Sequence, residues 1–82
     1  MNPRVSTVEY KGNHQLLITF TNKEVKQFDL NGYLDYPVYE PLKDEAFCKN
    51  VMVSDGVIVW DEDIDFDPDT LYLESKSLQI SA

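Results

Sequence analysis

Between Trp60 and Tyr72 the chain reads W-D-E-D-I-D-F-D-P-D-T-L-Y, with six carboxylates and no lysine or arginine from Trp60 to Thr70. Charge at that density repels itself and holds a segment in water. Trp60, Ile64, Phe66, Leu71 and Tyr72 are interleaved with it, so part of the same stretch must dock on a core. Asp67-Pro68 then has the form of a helix start. An aspartate at the N-cap accepts an orphan backbone N–H, and proline at the first helical position gives up a donor that had no partner. The stretch therefore reads as an acidic but structured connection into a short helix over about 68–75.

Eighty-two residues make one domain, 1–82. Apolar residues are 43% of the chain, enough for a globular fold but only a modest core. The single cysteine, Cys48, excludes an internal disulfide and fits a reducing cytoplasm. No signal-like N-terminus and no apolar run of the ~20 residues a membrane span needs is visible. The net charge of −8 is uneven: residues 1–49 carry six basic and seven acidic side chains, residues 50–82 one basic (Lys76) and eight acidic. The acidic part repels phosphate backbones, which argues against nucleic-acid binding, and attracts a basic protein partner.

Val5–Tyr10, His14–Thr21 and Glu24–Leu30 read as an antiparallel β-meander, turned at Gly12-Asn13 and Asn22-Lys23. Two-residue turns at these places pair Val5 with Phe20 and Phe20 with Val25 on one face. They pair Val8 with Leu17 and Leu17 with Phe28 on the other. With Leu16 and Ile18 on the first face and Tyr10 and Leu30 on the second, both faces are partly apolar. A second copy covering the spare face would make a homodimer. A short helical turn at Tyr33–Tyr36 stops at Pro37, and a one- or two-turn helix lies within Lys43–Asn50. Asn50–Val53 and Val57–Trp60 form a second hairpin around Asp55-Gly56, pairing Val53 with Ile58 and Val51 with Trp60. The expected class is α+β: a meander plus a second hairpin, with short helices packed against the sheet. Phe20, Phe28, Phe47, Trp60 and Leu71 are the expected core.

The order of these pieces resembles the bacterial family of domain of unknown function 2442. The matching segments are L-L-I-T-F-T-N-K-E-V-K-Q-F-D-L at 16–30, P-L-K-D-E-A-F at 41–47 and V-S-D-G-V-I-V-W-D-E-D-I-D-F-D-P-D-T-L-Y at 53–72. The likeness covers about 5–73, leaving a short tail at 74–82. One departure is Lys23, where the turn calls for glycine: a type I′ turn needs positive φ at both central residues. The resemblance implies a compact α+β domain with no catalytic residues to carry over. It also implies an antitoxin-like partnership with a small neighbouring protein. Some similar proteins append a helix-turn-helix domain, for which this chain has no room before Ala82.

The chemistry that the residues offer is sparse. Three dispersed glycines cannot build a phosphate loop, and His14 with Cys48 cannot hold zinc. Cys48 as a nucleophile with His14 as its base is outweighed by plain packing of Cys48 beside Phe47. Asp63, Asp65 and Asp67, with Asp69 and Glu74 further on, match the carboxylate spacing of a calcium loop. Pro68, however, sits where that loop needs glycine, and its φ is fixed near −65°. No metal site and no cofactor are therefore expected, and carboxylate catalysis lacks a walled pocket. The expectation is a non-catalytic protein-interaction domain whose acidic strip, Asp61, Glu62, Asp63, Asp65 and Asp69, meets a basic partner. The rival is a weak divalent-metal or carboxylate-based catalytic domain using Asp61–Asp69.

Overall fold

The computed structural model describes residues 2–60 and 64–77. β1 (Val5–Gly12), β2 (Gln15–Phe20) and β3 (Val25–Asp29) form the meander. Two 3-10 helices follow, Leu30–Tyr33 and Pro37–Lys43, then α1, Glu45–Cys48. β4 (Met52–Ser54) and β5 (Val57–Val59) make the second hairpin, and β6 (Asp65–Phe66) pairs with β5. α2 spans Pro68–Glu74, and β7 (Lys76–Ser77) returns to pair with β3. The result is α+β, with two antiparallel sheets ordered β1-β2-β3-β7 and β4-β5-β6.

Two of the three hairpins depart from the expected register. The first turn is centred on Asn13 and His14, not on Gly12-Asn13: Gly12 pairs with Gln15, and Asn13 and His14 have φ of 54° and 61°. Both values are positive, as a type I′ turn demands. His14 is held there by its backbone N–H donating to the Tyr10 hydroxyl and its Nε2 bonding the Leu42 carbonyl at 2.9 Å. The second connection has three residues. Phe20 donates to the Glu24 carbonyl, Lys23 N–H returns to Phe20, and Lys23 takes φ 76°. A turn closed by one left-handed residue is the usual three-residue solution, so lysine stands in the place that favours glycine.

The extra residue shifts the pairing by one. Leu17 faces Gln27 rather than Phe28, and Phe28 faces Leu16. Irregularities in β1 likewise put Val8 opposite Ile18 instead of Leu17, while Val5 still meets Phe20. A one-residue slip moves a side chain to the other face. Leu16, Ile18, Phe20 and Phe28 therefore share one inner face, and all are buried within this chain. The outer face of β2 and β3 carries Gln15, Leu17, Thr19, Val25 and Gln27, with Gln15 bonding both Gln27 and Asp29. Leu17 and Val25 are the apolar residues of that face, fewer than expected, and nothing in the structure supports a homodimer through it. The third hairpin follows expectation: Val53 pairs with Ile58, and Asp55 and Gly56 have φ of 52° and 80°.

Of the expected core, Phe20, Phe28, Trp60 and Leu71 are buried. Phe47 is only partly buried; α1 is a single turn, and Cys48 takes its inward position. Trp60 is 4% exposed and donates its indole N–H to the Cys48 carbonyl at 2.7 Å. Its backbone N–H reaches the Ile64 carbonyl, so the ring and main chain anchor both sides of the acidic triplet. α2 is clamped through Tyr72. The Tyr72 ring meets Phe20 edge-on, its hydroxyl donates to Glu24, and its carbonyl accepts from Lys26 Nζ at 2.7 Å. Lys26 Nζ also lies 3.7 Å from the Tyr72 ring centroid, which explains a lysine on the inner face.

The two sheets are stitched where β1 begins. Val5 N–H donates to the Gly56 carbonyl, and the Arg4 guanidinium donates twice to the Asp55 carbonyl. A Cβ on Gly56 would lie 2.8 Å from Arg4 Cβ. Gly56→Ala should therefore lower stability by at least the ~1–2 kcal/mol of a left-handed alanine, read by urea denaturation. Trp60→Ala should cost about 3–5 kcal/mol, the usual scale for a buried large aromatic. A Trp60 variant that melts with the parent would show that the indole contributes no burial.

Candidate functional site: a tyrosine groove with an acidic rim

The two 3-10 helices between β3 and α1 carry Leu30 and Tyr33, then Tyr39 and Leu42, and Tyr36 caps the second from the bend between them, so the five fall at every third residue. At three residues per turn, side chains at i and i+3 eclipse, which aligns Leu30 with Tyr33 and Tyr39 with Leu42 within their helices. Asp29 starts the first helix by accepting from the Asn31 N–H, and Pro37 opens the second helix. Burial opposes ionisation of Asp29, but bonds from Asn31 and Gln15 outweigh it and hold its carboxyl below the usual range. The ends of the series, Leu30 and Leu42, are buried; Tyr33 and Tyr39 are half-buried, and Tyr36 is 57% exposed.

Tyr33 and Tyr39 converge on Phe66 of β6, and Tyr36 packs against those two. Tyr39 stacks on the Phe66 ring at 4.6 Å and 13°, and Tyr33 meets it at 5.4 Å and 90°. Tyr36 lies 6.2 Å from Tyr33 and 6.5 Å from Tyr39, centroid to centroid. Together they line an open cavity of about 590 Å³, walled further by Val38 and Val57 and rimmed by Asp65, Asp67 and Thr70. No lysine, arginine or histidine is among these lining residues. Burial raises the Tyr39 phenol above its ordinary range, and the neighbouring Asp65 and Asp67 charges add to the shift. Tyr33 is raised mainly by burial as well. Both hydroxyls therefore stay protonated at neutral pH.

Asp67 does two things at once. Its carboxylate caps α2, accepting from Thr70 N–H at 3.1 Å and Thr70 Oγ1 at 2.7 Å. The Thr70 hydroxyl is the main reason its carboxyl sits below the ordinary range. The expected calcium spacing thus runs into a helix. Pro68 to Glu74 is α2, and both Asp67 oxygens are engaged in the cap. Among the described residues no group of three or more His, Cys, Asp or Glu is placed to hold a metal ion. Cys48 is fully buried, and burial pushes its thiol up to about 11, so it is protonated at neutral pH and a poor nucleophile. The His14 ring is turned to Leu42.

Of the expected acidic strip, Asp65 and Asp69 are exposed, and Asp61, Glu62 and Asp63 lie outside the described residues. Asp65 stands on the groove; Asp69 is in the first turn of α2 and does not line it. Sequence reasoning missed Asp67 as a rim residue and the tyrosine series altogether. The signal for the series was available as Y-x-x-Y-x-x-Y, a spacing that fits neither an α-helix nor a strand.

The fold and groove define a small two-sheet α+β domain, one that carries an open aromatic surface and no evident catalytic constellation among the described residues. The chain belongs to the family described as Protein of unknown function (DUF2442), which it matches over residues 5–77. No curated protein and no solved structure matches it. No helix among the described residues is long and apolar enough to cross a membrane.

Loss of the α2 cap gives a pH-dependent prediction. Asp67→Ala should cost about 1 kcal/mol near pH 7. Because the folded-state pKa lies below the ordinary 3.8, the cap's contribution is complete above that value. It fades as pH falls through the lower folded value, so the gap between variant and parent should close in that acid range. Urea midpoints at pH 7, 5 and 3 check it; a constant gap would assign the cost to something other than the charged cap.

Proposed function

We propose that this is a non-catalytic protein-interaction domain whose contact surface is the tyrosine groove. The observation that carries the reading is Tyr36 and Val38 standing 57% and 55% exposed beside a preformed aromatic cavity. Exposed aromatic and aliphatic groups gathered at one concave place are what binding surfaces supply, whereas scattered ones need no explanation. Tyrosine suits the role because it offers contact area with little rotamer freedom to lose. The acidic charge favours a basic partner and speeds encounter with it. Resemblance to the family adds the finer reading, an antitoxin-like partner of a small neighbouring protein in a bacterial cytoplasm.

Capture from the source cell with the parent chain and with a Tyr36→Ser/Val38→Ser variant tests this. Both substituted side chains are exposed, so circular dichroism and melting should stay as in the parent. The expected result is a defined partner bound by the parent and lost, by tenfold or more, from the variant. Equal recovery would move the contact away from the groove, and no specific partner under any condition would end the interaction reading.

A further inference from the structure

We infer that the groove receives a cationic side chain, lysine or arginine, from an extended segment of a partner protein. This rests on the reading of the groove as a contact surface and names the chemistry of its occupant. The argument begins with what a cover would do to the rim. Asp65 and Asp67 flank the cavity, and no lysine, arginine or histidine among the described residues lines it. A neutral apolar partner seated there would strip water from two carboxylates and return nothing for it, a loss that an opposite charge repairs most fully. Asp67 has its lone pairs partly engaged by Thr70, whereas no hydrogen bond or ion pair among the described residues engages the Asp65 carboxylate. Asp65 is the rim group positioned to pair with an incoming cation.

The aromatic walls point to the same chemistry. Tyr36 and Tyr39 lie at 86° with centroids 6.5 Å apart, and Tyr33 and Tyr39 at 80° and 6.2 Å. Both pairs are edge-to-face, and a cation seated in the groove would come within reach of a tyrosine ring, whose face attracts it within about 6 Å of the centroid. The fold already uses this interaction once, where Lys26 Nζ sits over Tyr72. A cavity of about 590 Å³ exceeds one side chain, so neighbouring residues of the incoming segment share it with the cation. Val38 and Val57 give those residues an apolar wall.

The test uses two matched pairs of small probes on the full chain, followed by NMR of the tyrosine rings. One pair is N-acetyl-lysine methylamide and its side-chain-acetylated form. The other is N-acetyl-arginine methylamide and the citrulline analogue. Each pair differs by one charge; arginine and citrulline have nearly the same shape, so that pair isolates the charge, whereas acetylation also enlarges the lysine probe. The cationic members should shift the Tyr33, Tyr36 and Tyr39 ring signals saturably, about tenfold more tightly than the neutral ones. Asp65→Asn should weaken the cationic probes several-fold and leave the neutral ones unchanged. Asp65 is exposed, so this variant keeps its fold. Equal affinity within both pairs would overturn the inference and leave the groove an apolar contact surface. No shift of the ring signals by any probe would also overturn it, and the capture experiment above would then decide separately whether the groove binds a protein at all.

Discussion

Phe66 holds the structure together. Its ring meets Phe28 from the first sheet at 5.4 Å, Trp60 from the end of the second sheet's hairpin at 5.8 Å, and Tyr33 and Tyr39 from the 3-10 segment. Four rings from three parts of the chain thus converge on one side chain that is 2% exposed. Aromatic pairs in edge-on or offset geometry contribute about 0.5–1.5 kcal/mol beyond the area they bury, so this junction outweighs any single aliphatic contact in a core this small. It also links stability to the candidate site. The ring that closes the core is the ring against which the groove tyrosines are set.

Over residues 64–67 the acidic segment resolves its conflict by alternation. Ile64 and Phe66 point into the core, and Asp65 and Asp67 point out. Two residues of strand suffice, because β5 supplies the pairing and Asp67 immediately starts a helix. Charge repulsion is relieved along the outer side, and the apolar residues between the charges are spent on Phe66's junction and on the contact of Leu71 with the core. Over residues 64–67 a stretch of carboxylates that looks hostile to folding is therefore compatible with it, because each second residue is apolar and buried.

Much of this was legible beforehand, for identifiable reasons. Asp55-Gly56 announced its turn because aspartate and glycine both accept positive φ, and the pairing across it followed. Asp67-Pro68 announced α2 for equally local reasons. The meander's register was not legible, because His14 and Lys23 occupy left-handed backbone without being glycine or asparagine, so the turn residues pointed one position astray. The extra residue in the second connection misassigned Phe28 and made the outer face look more apolar than Leu17 and Val25 make it. β6 and β7 have two residues each, too few to show any alternation. The groove was hidden by its period: a series at every third residue matches neither the helical nor the strand template, and its partner Phe66 lies far away in sequence.

The chain's lone thiol has a practical meaning. Cys48 is sealed beneath Trp60's hydrogen bond and carries its proton at neutral pH. A thiol reagent in solution finds nothing to attack in the closed molecule. Its reaction therefore proceeds only from molecules in which α1 and the second hairpin have come apart, and the pace of alkylation becomes a clock for that opening. The protein carries, without any added label, a reporter of how often its centre is exposed to solvent.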